Sequence, residues 1–105
     1  MMSIQESSRR VYRYRIPLRA MAYVSDWVVG AVPIAVALHD NDVDVWADVP
    51  RPDAPPMLKT FVIAATGDSV PIDMKFLGSL FRPDEYAPDG RWVFHVFHDP
   101  TDGLL

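Results

Sequence analysis

A chain of 105 residues without cysteine can form no disulfide, no thiolate metal site and no cysteine nucleophile. Half of its residues are hydrophobic and 23% are charged, which is the composition of one folded domain with its own core rather than of a disordered segment. The net charge of -4 conceals a split, because residues 1–25 sum to +4 while the remaining 80 sum to -8.

The basic end comes from Arg9, Arg10, Arg13, Arg15 and Arg19 against Glu6. A basic arm on an acidic body suits self-association or a charged partner, and it is equally the layout of two solvated surfaces. No stretch approaches the roughly 18 apolar residues of a membrane span, and the N-terminus lacks the apolar core of a secretory signal. The expectation is a soluble intracellular protein with no membrane partner.

Ten prolines and five glycines divide the chain into short apolar runs, the pattern of a β-rich domain. The first run, residues 10–16, places Tyr12, Tyr14 and Ile16 on one face and Val11, Arg13 and Arg15 on the other. Pro17 ends it, and the basic outer face marks an edge strand. Residues 20–24 form a weakly patterned second strand. Residues 31–49 read as a hairpin about His39-Asp40-Asn41-Asp42, residues that tolerate tight turns. Ile34, Val36 and Leu38 share a face on the way out; Val43, Val45, Ala47 and Val49 share one on the return.

If that valine face is core, Trp46 stands outward between Asp44 and Asp48 as a binding anchor; otherwise it packs beneath another segment. Residues 50–57 are a stiff, extended proline-rich connection. The segments 59–65 (KTFVIAA) and 91–98 (RWVFHVFH) are apolar on both faces, so both should be central strands covered on both sides. Between them, residues 72–81 allow a helix by the spacing of Phe76 with Leu80, but Gly78 in the middle favours a short strand.

In an extended strand His95 and His98 point to opposite faces, so they are not a metal pair, and His39 lies far off in sequence. No metal or other cofactor is expected. His95, between Val93 and Phe97, reads as a framework histidine with a hydrogen-bond partner. The turn Asp40-Asn41-Asp42-Val43-Asp44 begins like a calcium loop, then has Val45 where glycine is required and Arg51 where the bidentate glutamate belongs. Phosphate-binding glycine loops and nucleophile elbows are missing from the sequence, and an enzyme is not expected. Nucleic acid is disfavoured as well: Tyr12 and Tyr14 lie on the face opposite the arginines, and the acidic body repels phosphate.

The succession VYRYRI, Gly30-Ala31, VPIAVAL, VDVWADV, a proline loop, KTFVIAATG, FLGS and WVFHVF resembles a family of small proteins carried mainly by tailed bacteriophages and classed as a domain of unknown function. The resemblance spans about residues 10–98. It departs from the family after Thr66-Gly67, where a histidine followed by P-I-P is common and this chain has Asp68-Ser69-Val70-Pro71. It departs again at Val28-Val29, where the family usually has a proline. The resemblance implies a phage origin, a β-rich fold and a location in the host cytoplasm, and it carries no activity.

Together these readings predict an all-β single domain of six or seven short, mostly antiparallel strands, a sandwich or small barrel. It would occupy residues 10–98, between a flexible arm (1–9) and a C-terminal tail (99–105). The expected function is a non-enzymatic phage accessory protein that binds a host protein through Trp46, Asp44, Asp48, Arg13 and Arg15. Two other readings are a small-ligand or nucleotide-signal binder with His95 as a contact, and a minor virion component. A homodimer through the edge strand 9–16 is a further expectation.

Overall fold

In the computed structural model, which describes residues 8–86 and 90–102, the period-two alternation resolves into seven strands. These are β1 (Arg10–Pro17), β2 (Met21–Val28), β3 (Val32–His39), β4 (Asp42–Val49), β5 (Pro56–Ala65), β6 (Lys75–Pro83) and β7 (Arg91–His98). None of the described residues is helical, so no helix here is long and apolar enough to cross a membrane. The strands form two antiparallel sheets, one ordered β1-β4-β3 and the other β2-β5-β7-β6. The fold is an all-β sandwich.

The core is the set of side chains that both sheets turn inward. Val43, Val45, Ala47 and Val49 of β4 and Ile16 of β1 meet Ala22, Val24 and Trp27 of β2, Phe61 and Ile63 of β5, and Leu80 and Val96. Trp27 is fully buried. Its ring stacks at a tilt on Tyr14, 4.8 Å between centroids, and meets Phe61 edge-on at 5.7 Å, so it ties the two sheets together. On the other side of the sandwich β3 lies against β6. A side chain at Gly78 would begin 2.8 Å from Val36 Cγ2, so glycine is what lets the two sheets close there. The same glycine that argued against a helix therefore serves strand packing.

Several expectations need correction. The second strand runs on to Val28 and contains Trp27, because a bulge at Ser25–Asp26 resets the alternation and hides it in the sequence pattern. A second bulge, between Pro33 and Ala35, turns Ile34 out to 53% exposure and Pro33 in, leaving only Val36 and Leu38 on the core face. The proline-rich connection is bent rather than extended, with Ala54 N donating to Arg51 O at 3.0 Å, and its end at Pro56–Met57 already belongs to β5. The hairpin turn narrows to Asp40-Asn41, where Asp40 takes φ 53°, a left-handed conformation that short polar residues accept. Of the flexible arm, residues 1–7 lie outside the described residues, as do 103–105 of the tail.

β5 and β7 are central, as their apolar character implies. β5 and β6 run the same way with β7 between them, so residues 66–74 must return across one face of the sheet. The inner face is filled by the core. Thr66 reaches His95 on the outer face, and Asp68, Ser69 and Pro71 share a hollow there with Val62 and Ala64. The crossover therefore covers the outer face, and Val62 and Ala64 beneath it are only 7% and 4% exposed.

Candidate interaction surfaces

Among the described residues, no connection crosses the outer face of the three-stranded sheet in the same way. Its register sets three rows across β1, β4 and β3: Val11–Asp48–Val32, Arg13–Trp46–Ala35 and Arg15–Asp44–Ala37. All five residues expected to bind a partner thus come together on one face. The sequence placed them there by parity alone, since the valines of β4 must turn inward. Trp46 stands in the middle row, half-buried between Arg13 and Ala35, with exposed Val11 and Val32 along the same face.

Ion pairs fix the charges around Trp46. Arg15 Nε donates to Asp44 Oδ1 at 2.9 Å, and Arg9 Nε lies 3.2 Å from Asp48 Oδ1. Asp44 is 5% exposed, covered by a single layer of neighbouring side chains, Arg15 and His39 among them, rather than by depth in the protein. The hydrogen bond from Arg15 holds its carboxyl below the usual aspartate range against the cost of that cover. Arg13 makes no ion pair among the described residues, although its charge also reaches Asp44.

His95 sits on the opposite side of the molecule, beneath the crossover. Its Nδ1 is 2.9 Å from Ser79 Oγ and its Nε2 is 3.1 Å from Thr66 Oγ1. One neutral ring nitrogen accepts from a hydroxyl and the other donates, so both are engaged within the protein and the imidazole fastens the crossover to the sheet. A serine hydroxyl on a histidine is half of an activated nucleophile. Here the far nitrogen meets Thr66, and among the described residues no carboxylate orients the ring. His98 points inward, away from His95, as alternation requires.

Sequence reasoning missed the polar cluster at the end of β5 and β7. Lys59 is buried over the Trp27 ring, 5.8 Å from its centroid. Its Nζ donates to the backbone oxygens of Asp99 and Asp102 and lies 3.2 Å from Asp102 Oδ1. Thr60 N donates to Asp102 Oδ2 at 2.8 Å, so residues 99–102 are pinned to the sheet. Burial lowers the Lys59 pKa, opposed by Asp102. His98, 7% exposed, is pushed down to about 4 by burial and then by the Lys59 charge. The only sign in the sequence was a lysine opening an apolar strand, on the face that alternation gives to Phe61 and Ile63.

The domain so described spans nearly the whole chain, and so does a family model, which matches residues 7–103. The chain belongs to the family described as Domain of unknown function (DUF7352). No curated protein and no solved structure matches it. For this DUF7352 chain, any account of function therefore rests on its surfaces.

Proposed function

We propose that the chain is a non-enzymatic accessory protein of a tailed bacteriophage that binds a host protein in the host cytoplasm through the outer face of the three-stranded sheet. One observation carries the reading: this uncovered face gathers Trp46, Arg13, Arg15, Asp44 and Asp48. Tryptophan and arginine are the residues that most often dominate binding energy, and they do so where a central aromatic is ringed by groups that exclude water. The ion pairs hold the surrounding side chains in place, which lowers the entropy lost on binding. Phage origin and host location are supported by the order of motifs along the chain. The test is affinity capture from a lysate of the bacterial host with wild-type and Trp46→Ala protein. Host proteins retained by the first and lost by the second are expected. Identical sets, or none, would sink the reading.

A further inference from the structure

Four strands border the two sheets: β1 and β3 in one, β2 and β6 in the other. Sheet edges present unpaired backbone groups that invite another chain, and proteins usually blunt them with bulges, prolines or covering elements. Three of these four are blunted. β2 carries the bulge at Ser25–Asp26, β3 has Pro33 and the bulge at Ile34, and β6 has a bulge at Leu77 and ends in Pro83. β3 and β6 also lie against each other. β1 differs from all three. It pairs with β4 over eight consecutive residues without a shift, and its proline is the last of them.

What protects β1 is charge, and charge is selective. Arg9, Arg13 and Arg15 alternate along its outer side, and only Arg9 and Arg15 have carboxylate partners among the described residues. Two copies of β1 placed side by side would set arginine against arginine, which is destabilising for cross-strand neighbours. A strand with carboxylates on alternate residues meets the opposite situation, with Arg13 still free to pair. There is room beside the strand: a groove of about 300 Å³ separates β1 from β2, lined by Arg13, Tyr14, Arg15, Tyr23, Ser25 and Asp26. Asp26 opposes an acidic occupant from the far wall, and Arg15 already holds Asp44, so Arg13 is the cation on which the selectivity rests.

We infer that the β1 edge accepts an extended acidic segment of the partner protein as an added strand, with its alternate carboxylates beside Arg13 and Arg15. Backbone hydrogen bonds would supply the pairing and Arg13 the selectivity, the division of labour usual in strand addition. This rests on the protein-binding reading and names the chemistry and the manner of contact. It replaces the expectation of a homodimer through the same strand, for the like charges just described.

A synthetic peptide alternating glutamate and valine, titrated into isotope-labelled protein, tests it by amide chemical shifts and hydrogen exchange. Its counterparts are the same peptide with lysine for glutamate and the glutamate peptide N-methylated on alternate residues. The glutamate peptide should perturb the amides of Arg10–Ile16 and slow their exchange. The lysine and N-methylated peptides should bind about tenfold more weakly or worse, and Arg13→Glu should cost about the same factor. Because two of the comparisons alter only the peptide, misfolding of a variant cannot produce the result. Equal binding by the lysine or N-methylated peptide, shifts centred away from β1, or no binding by the glutamate peptide would overturn the inference. So would light scattering that shows a wild-type dimer dissociated by Arg13→Glu. In each of these cases Trp46-dependent capture of a host protein would still stand, which separates failure of the strand-addition mode from failure of the binding reading.

Discussion

The two sheets of this sandwich turn very different outer faces to their surroundings. On the four-stranded sheet the outward positions of the central strands are mostly apolar, Val62, Ala64, Val93 and Phe97 among them, and the crossover 66–74 lies over this face with His95 as its fastening. On the three-stranded sheet the outward rows set arginine, aspartate and one tryptophan among Val11, Val32, Ala35 and Ala37, and no described connection crosses them. Each face is matched to its cover. A sheet face that the chain covers itself can be apolar throughout, because the hydrophobic term favours the cover. An uncovered face has to keep water while it is alone and still hold something that rewards burial. Ion pairs around a half-buried tryptophan meet both conditions.

Trp27 on β2 and Trp46 on β4 give the largest contrast. Trp27 joins the sheets from inside, and Trp46 faces out. Trp27→Ala should cost about 3–5 kcal/mol, the usual range for deleting a large buried aromatic. That is a large part of the stability of a domain this size, and urea denaturation followed by circular dichroism would measure it. A loss below about 1 kcal/mol would mean that Trp27 does not tie the sheets together.

The second effect belongs to the closed side alone and appears on acidification. His98 has a folded pKa of about 4 against an ordinary value of 6.5, so the unfolded chain binds the proton first. Stability from this group is fully present above about pH 6.5 and is lost as the pH falls towards 4. The total is roughly 3 kcal/mol by proton linkage. The carboxylates of Asp44, Asp84 and Asp99, all held below their ordinary value of 3.8, lose their contributions only at lower pH, so the windows separate. Denaturant midpoints measured from pH 7 to pH 4 should fall for the wild type. For His98→Leu the profile over that interval should be nearly flat. A wild-type profile flat over the same interval would show that His98 titrates normally.

A smaller change tests the fastening of the cover. Thr66→Val removes the hydroxyl that meets His95 Nε2 while keeping the shape of the side chain. One hydrogen bond at a part-exposed site contributes about 0.5–1 kcal/mol. Global stability should drop by no more than that, while amide exchange in residues 66–74 accelerates and exchange in β4 stays as it was. Acceleration spread evenly over both sheets would mean that the crossover is no separate cover.

How much of this was legible in the sequence follows from what alternation can carry. Along β4 and β7 it is unbroken, and the inward valines, the outward Trp46 and the opposed histidines all follow from it. Where a bulge inserts a residue, parity slips, and Trp27 and Ile34 exchange the faces that simple counting assigns them. The crossover was implied only by the two-sided apolar character of β5 and β7; what covers them depends on strand order, which no local pattern encodes. Lys59 was unreadable for a related reason, since its partners Asp99 and Asp102 lie some 40 residues away in the C-terminal segment, and the Lys59 charge that acts on His98 is as far off along the chain. The β1 edge was visible as basic, yet its regularity means something only beside three other edges that are interrupted.

A similarly small expected change in stability concerns the residue on which the function depends most. Trp46→Ala removes a half-buried ring from an uncovered face, where no opposing layer is left with a cavity. The cost should be about 1 kcal/mol or less, near the ordinary range of surface substitutions. The ion pairs of Arg15 with Asp44 and Arg9 with Asp48 bridge β1 and β4 without it, so the sheet keeps its register. The same change should remove a large share of partner affinity, about 2 kcal/mol or more if Trp46 is the central anchor. That corresponds to a thirtyfold or greater weakening, by the conversion of about 1.4 kcal/mol per decade. Measuring unfolding and capture on the same preparation places the variant on both scales at once. A stable variant that no longer captures its partner fits a face kept open for binding. A variant that loses several kcal/mol of stability would instead make Trp46 part of the framework, and the bare sheet face would then differ from the covered one only in its charges.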